Sequence, residues 1–562
     1  MHSVVAFSSV PLFLGALLSD RAYSVSHQSQ WVNFAAWLIA GGLLIAGPAL
    51  LWGAAEMLRL RATRHRGNVI YLILLMATFV VGFVNALVHA KDGSAAMPTG
   101  LILSAVVLLL VVTASAVGLA GTLRRTGMNI RGHRIAAAFA AVVVLGTTLT
   151  LAVVVGEASG VQPGIPDLPP PQRGLLPSMR IAEPAGWGDR RPAVPQGWTI
   201  KAIATDLKVP RQTLVLPNGD ILVAEGKGGG APVLRPKDYI AGIIKSRGTT
   251  SVKGGNQLTL LRDANGDGTY EGRWVYAENL NAPYGLALVG NRLYVANQDA
   301  LVRLEYVVGQ TQAAATPVTV AKLPSAINHH WTKALAADAD GRYLYVGIGS
   351  NSNIGERGLA VEENRAVVLQ VDASSGATRV FATGLRNPTV LAFEPASRQL
   401  WAVVNERDEL GPDLVPDYLT SVREGAFYGW PYAYWGPNVD RRVQPQNDKQ
   451  VQAAARPDFA LQSHSAPLGL AFVQPGSAAP FAEGAFIGLH GSWNRDAPVG
   501  YKVIFVPFAN GRPNGPPVDF VSGFQVGGKT MGRPVGVTLD PKGALIVADD
   551  LSNTVWRVTP AR

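Results

Sequence analysis

The chain has 562 residues, with 49 Lys and Arg against 39 Asp and Glu and a formal net charge of +10. Only 16% of residues are charged and mean hydropathy is +0.17, which excludes an intrinsically disordered chain and a purely soluble one. Cysteine is absent, so disulfides, thiolate metal sites, iron–sulfur clusters, a cysteine nucleophile and covalently attached c-type haem are excluded.

The charge is unevenly spread. Residues 1–156 carry ten Lys and Arg against three acids, Asp20, Glu56 and Asp92, whereas the rest of the chain carries 39 against 36. A basic excess confined to the most apolar third fits a positive-inside membrane segment better than a nucleic-acid-binding face. Five apolar stretches lie there, at about 3–19, 32–57, 68–90, 98–122 and 135–156. The last four are long enough to cross a hydrocarbon core of roughly 30 Å. The first is short and ends at Asp20, but it has no charged leader and three spans follow at once, so it reads as a span rather than a signal peptide.

Arg59, Arg61, Arg64 and Arg66 follow the second stretch, and Arg124, Arg125, Arg131 and Arg134 lie between the fourth and fifth. The alternate loops carry only Arg21 and Lys91. This asymmetry predicts arginine-rich loops in the cytoplasm and everything after about residue 157 outside. In a bacterial cell that is a multi-pass inner-membrane protein with its C-terminal domain in the periplasm. Asp20, His27, Glu56 and His89 fall at or near span ends, where interfacial solvation is the expected state, with haem or quinone contact by His27 and His89 as the functional alternative. Residues 1–122, opening "MHSVVAFSSVPLFLGALLSDRAYS", resemble a family of small four-helix membrane domains of unknown function.

Residues 157–197 contain nine prolines, including "PDLPPPQRG", and read as a semi-rigid spacer that lifts the next domain off the membrane. From 198 to 562 short alternating strands recur with turn signals. Six copies of one β unit stand at 209–226, 282–297, 329–349, 387–405, 466–491 and 533–550. That repeat predicts a six-bladed β-propeller. The chain is therefore expected to be multi-domain, an all-α transmembrane bundle (1–156) and an all-β propeller (198–562) joined by the linker. Residues just ahead of each copy should converge at one end of the central channel: Arg211, Tyr284, His330, Arg386 with Asn387, His464 and Arg533. An Arg- and His-rich cluster suits an anionic ligand with a proton-transfer partner. "DANGDG" at 263–268 begins like a calcium loop but has Trp274 at the twelfth position, so a tight hairpin turn is the better reading, with a metal at Asp263–Asp267 as the alternative.

The motifs "RDANGDGTYEGR", "HHWTKAL", "GLRNP", "VNERDELGPDLVPDYLT", "FYGWPYAYWG" and "GRPVGV" make residues 198–562 resemble the soluble-type dehydrogenases that use pyrroloquinoline quinone (PQQ), in the glucose/L-sorbosone branch. The resemblance implies oxidation of a sugar or sugar aldehyde by hydride transfer to PQQ, with calcium. His330 falls on the family's general base, with Leu335 holding the apolar place after it. Arg386 and Asn387 fall on the Arg–Asn pair beside the quinone, and Arg533 on the arginine ahead of the last blade. A second family arginine falls on Met531, so that contact is missing. The family lysine lands at Asn494 or Arg495, of which Arg495 is the expected equivalent. His329, by strand alternation, is expected to point away and be structural. The calcium site falls on Glu406–Asp413: backbone carbonyls of the displaced Gly411–Pro412 pair, or side-chain oxygens of Glu406, Asp408 or Glu409.

Two other functions compete. A calcium-dependent propeller lactonase needs acids or Asn at the channel end, where this chain offers Arg and His. A non-catalytic binding propeller has no need of His330, Arg386 and Arg533 together. If the chain is a dehydrogenase, electrons must leave to ubiquinone or to a periplasmic cytochrome, because no haem can be attached here. The partners expected are thus a small sugar or aldehyde, the lipid bilayer and one such acceptor, with no nucleic acid.

Overall fold

The computed structural model describes residues 2–59, 66–125 and 167–561, apart from 173, 176–178, 182, 231 and 476–482. The fifth apolar stretch and the first part of the Pro-rich segment lie outside the described residues.

The N-terminal part is helical. Helices α1 (His2–Phe7) and α2 (Val10–Ser26) run on as one apolar segment, followed by α3 (Ser29–Arg59), α4 (Arg66–His89) and α5 (Thr99–Arg125). Four segments, His2–Ser26, Ser29–Arg59, Gly67–His89 and Thr99–Gly121, are long and apolar enough to cross a membrane. Small residues let them pack closely. A side chain on Gly42 would meet the Phe13 ring at 2.6 Å, and one on Gly100 would meet the His89 imidazole at 2.7 Å.

Asp20 and His89 are not solvated at an interface; both side chains are fully buried. His89 Nδ1 donates to the Asn85 carbonyl (3.0 Å) and Nε2 faces Asp20 Oδ1 (2.8 Å). Ser104 donates to Asp20 Oδ2 (2.6 Å) and accepts from Asn85 Nδ2 (2.9 Å). Burial without water leaves these groups only one another as partners. His27, by contrast, is exposed at the end of α2.

The C-terminal part has six antiparallel blades, five of them four-stranded and the fifth in chain order five-stranded. Their innermost strands, Pro210–Val215, Gly285–Val289, Lys333–Ala337, Pro388–Phe393, Pro467–Phe472 and Pro534–Leu539, touch in sequence and close a ring. Each begins in one of the six repeat copies. The sixth blade takes its outer strand, Trp198–Ala204, from the start of the domain and pairs it with the last strand, Thr554–Pro560.

Period-two alternation builds the cores between blades. In Tyr343–Ile348, Leu344, Val346 and Ile348 enter the core shared with blade two, and Tyr345 the core shared with blade four. In Leu400–Val404, Ala402 and Val404 face blade three, while Trp401 and Val403 face blade five. Blades buried on both faces explain why the strands read as nearly continuous apolar runs.

Helix α6 (Pro236–Ser246) stands in the long connection between the second and third strands of blade one. The bundle and the propeller touch directly. Asp92, in the loop between α4 and α5, meets Arg235 (2.8 Å) and Lys237 (2.6 Å) and accepts from Asn353 (3.0 Å). The described part of the Pro-rich segment is bonded along the propeller instead of spanning a gap. Gln172 donates to the Leu410 carbonyl, Arg180 to that of Trp493, and Glu183–Pro184 pairs with Lys529–Thr530.

Candidate active site

The channel end reached by the repeat lead-ins is built from turns whose side chains converge. His330 precedes the inner strand of blade three. Its Nδ1 donates to the Ser350 carbonyl at 2.8 Å, which fixes the tautomer and leaves Nε2 as the basic nitrogen. Nε2 makes no hydrogen bond among the described residues. Burial, and next the Arg386 charge, push the imidazole well below its usual pKa, so the ring is neutral.

His329 is not turned away. Its ring packs edge-on against His330 with centroids 4.7 Å apart. Burial and then Arg357, Lys245 and Arg386 lower its pKa to about 3, so it shares the cationic surroundings of the mouth. The chain turns sharply here, at Ile327 and Asn328 with φ of 66° and 54°, so strand alternation does not apply until Lys333.

Arg386 is buried at the channel wall. It donates to the carbonyls of Asn353 (3.1 Å) and Glu406 (2.7 Å) and to Asn353 Oδ1 (3.0 Å), and lies 3.7 Å from Asp408. Asn387 follows, and its buried Oδ1 has no hydrogen-bond partner among the described residues. On the opposite side Arg533 lies over the Tyr501 ring and donates to the carbonyls of His490 (3.1 Å) and Gly491 (2.8 Å). Beside it Asp550 joins Arg211 (2.8 Å) and His490 (2.9 Å). Burial and then Arg533 lower the His490 pKa to about 4. Tyr284 packs with Trp331, Leu468 and Val535 to plug the channel beneath the mouth. Met531 is buried.

The expected metal residues divide. Asp408 faces the mouth, accepting from Asn494 (2.6 Å) and lying 3.4 Å from His464 Nδ1. Burial opposes its ionisation, but the bond to His464 and the Arg386 charge hold its carboxyl well below the usual range. Glu406 turns inward to Arg407 (2.9 Å), within a buried network that includes Asp440 and Arg442. Glu409 turns outward to Lys237 (2.6 Å) and to the Asp92 amide (2.9 Å). The Gly411 carbonyl accepts from His464 (3.0 Å), and that of Pro412 from Arg495. Arg495 is committed further to Asp413 (2.7 Å), so of the two candidates at this position Asn494 brings its side chain to Asp408.

Several mouth groups were not anticipated: Lys245, whose Nζ lies 3.8 Å from the Trp493 ring centroid, and Arg357, Asn353 and Ser350. Arg357 Nη1 is buried without a hydrogen-bond partner among the described residues, as are Asn387 Oδ1, Asn405 Oδ1, Glu406 Oε1 and Asn494 Oδ1. Orphaned polar atoms are rare in folded interiors and each needs a reason. Here they surround an excess of cations, which is what a polycarboxylate held with a hard cation would complete. The "DANGDG" acids form a turn in which Asp263 accepts the amides of Gly266, Asp267 and Gly268, and Asp263, Asp267 and Glu271 bring ligand atoms within 4.8 Å of one another, close enough to hold a metal ion.

The sequence profile described as TrAA12-like matches residues 192–416 and 437–561. The chain belongs to the TrAA12-like family. Residues 1–127 of this TrAA12-like protein match a second family, described as a predicted membrane protein (DUF2231). An uncharacterized protein of Borreliella burgdorferi is 28% identical over 336 residues, 56% of this chain and 86% of the relative. The PQQ-dependent pyranose dehydrogenase of Coprinopsis cinerea is 24% identical over 326 residues, 49% of this chain and 44% of the relative. The aldose sugar dehydrogenase YliI of Escherichia coli is 25% identical over 177 residues, 28% and 45%. The chain thus spans less than half the length of these two enzymes.

Among solved structures, the calcium structure of a Trichoderma reesei family AA12 carbohydrate-active enzyme superposes with a TM-score of 0.54 at 20% identity, covering 68% of this chain and 99% of that one. The holo PQQ domain of the Coprinopsis cinerea pyranose dehydrogenase gives 0.52 at 19%, covering 66% and 97%. These likenesses establish the propeller fold of the TrAA12-like part.

Proposed function

We propose that this TrAA12-like protein is a membrane-anchored quinoprotein dehydrogenase that oxidises a sugar or sugar aldehyde, of aldose or sorbosone type, with PQQ and calcium. The observation that carries the reading is His330. It is a neutral imidazole with Nδ1 tied to Ser350 and Nε2 free, opposite an arginine-lined recess with unpartnered polar atoms. PQQ-dependent relatives support the cofactor, and the matched membrane family supports the anchor.

Arg386, Asn387, Arg533, Arg357 and Lys245 would hold the cofactor's carboxylates and quinone oxygens, and oxygens along Asn405–Pro412 would hold the calcium. A bound PQQ would supply hydride acceptance, with calcium polarising its quinone carbonyl. His330 Nε2 takes the proton of the substrate hydroxyl. Ser350 holds that ring in the one tautomer able to do so. Arg386 sets positive charge where negative charge develops. The arginine asymmetry of the loops supports a periplasmic propeller in an inner membrane, with ubiquinone or a periplasmic cytochrome as acceptor.

The test is reconstitution of the full chain with PQQ and calcium, following dye reduction with a panel of aldoses and sorbosone. Turnover that needs PQQ and collapses in His330→Ala is expected. Folded protein that fails to bind PQQ, or that hydrolyses lactones with calcium alone, overturns the reading.

A further inference from the structure

Helix α6 is amphipathic in the reverse sense for a water-soluble lid. Its charged face is turned to the protein: Lys237 binds Asp92 and Glu409, Asp238 closes a capping box with Arg235, and Lys245 reaches Trp493 over the channel mouth. Its apolar stripe faces away. Tyr239, Ile240 and Ile243 are 60%, 57% and 44% exposed, and Val233 just ahead is 51% exposed. With Pro236 they occupy positions i, i+3, i+4 and i+7 of one helix face. None of the helix's eleven residues is buried.

The place of this stripe identifies what covers it. The segment entering α6 is fixed to membrane helix α3, where Trp37 Nε1 donates to the Leu234 carbonyl at 2.8 Å. Trp37 and Phe34 belong to the outward, lipid-facing side of α3, 48% and 62% exposed. The 31 residues of α3 extend about 46 Å, well beyond a hydrocarbon core of roughly 30 Å. With Arg59 at the opposite end, Trp37 falls near the level where the core gives way to headgroups. Tryptophan and tyrosine concentrate at that level.

We propose that α6 is an interfacial helix whose Tyr239–Ile240–Ile243 face lies in the headgroup region of the bilayer leaflet next to the propeller. The occupant of the face is lipid, continuous with the lipid around α3. A helix with an apolar face of this kind and a charged opposite face lies in the plane of the interface, buried to about 5–10 Å. Because Lys237 and Lys245 project from its other face, the same helix seats the mouth of the propeller against the membrane surface. This inference rests on the bundle being a membrane domain and is independent of the proposed chemistry.

The absence of cysteine makes the test direct. Ile240→Cys and Ile243→Cys are made separately in the full chain, labelled with a nitroxide and reconstituted in phosphatidylcholine–phosphatidylglycerol vesicles. Ser375→Cys, on an exposed turn of blade three, is the aqueous control. Relative accessibility to oxygen over a water-soluble nickel complex is expected to be several-fold higher at 240 and 243 than at 375. Tyr239→Cys replaces either variant that does not fold. Accessibility at 240 and 243 equal to the control overturns the proposal. So does shielding from both reagents with spin–spin broadening, which assigns the face to a second copy of the chain. Neither outcome bears on PQQ binding, which is read separately by titration.

Discussion

The buried polar cluster of the bundle and the polar cluster of the propeller mouth use the same residue types to opposite ends. In the bundle, Asp20, His89, Ser104 and Asn85 satisfy one another across three helices, and only Asn85 Oδ1 is left over. In the mouth, Arg386, Asp408 and His464 are partnered, yet Arg357, Asn387, Asn405 and Asn494 each keep an atom without a hydrogen-bond partner among the described residues. A closed network holds helices together; an open one keeps polar atoms available to a ligand, as the proposed function requires.

The contrast can be broken or sharpened by substitution. The largest effect belongs to the mouth. His330→Ala should lower turnover of the PQQ-loaded chain by about 100- to 10,000-fold, the range of a lost general base. Circular dichroism should be unchanged, and equal turnover in variant and parent would remove His330 from the chemistry.

Next comes the buried ion network behind the mouth. Arg407→Met leaves the buried Glu406 carboxylate without its cation, while Asp440 keeps Arg442, and should cost about 3–5 kcal/mol of stability, read in denaturant melts. If the melt is unmoved, that network is not the support it resembles. In the bundle, Asp20→Ala leaves the Ser104 hydroxyl and His89 without their acceptor. About 1–3 kcal/mol is expected, as a lowered unfolding midpoint in detergent, with dye-linked turnover unchanged. A large loss of turnover there would show the two clusters to be coupled.

The smallest effect is a pH dependence. Burial, then Arg386, lower the His330 pKa, and under the proposed chemistry the neutral ring is the active form. Turnover should therefore stay level as pH falls through 6.5, the ordinary imidazole value, and decline only below it. A half-loss at 6.5 would mean a solvated His330.

The repeat unit made the propeller legible because a strand buried on both faces must be apolar, short and bounded by turns, six times over. The bundle was legible because lipid demands apolar length. The mouth was legible only in part. His330, Arg386, Asn387 and Arg533 stand at fixed offsets from the repeat, so their convergence follows from the ring. Lys245 and Trp493 sit in connections of irregular length, to which no period applies. Helix α6 carried a readable signal, Pro236 at its first turn and an i, i+3, i+4, i+7 stripe, but it lies between two strands of one blade, where the repeat calls for a turn. The Lys237 partner of Glu409 was unreadable because it lies 172 positions away. The contact of Asp92 with the propeller was unreadable for the same reason: a lone acid in a loop does not name its partner.

The pairing of Trp198–Ala204 with Thr554–Pro560 also sets an order of events in biosynthesis. The first of these strands is synthesised soon after the helical segments, and the second only about 350 residues later. Until then the other five blades have all their strands, while the sixth has only its two inner strands and Trp198–Ala204 waits for the strand that joins it to them. The chain is by that time already tethered to the bilayer by its bundle. Completion of the propeller is therefore a late, long-range closure on an anchored chain, and loss of the last seven-residue strand would leave a membrane protein with an unpaired sheet edge.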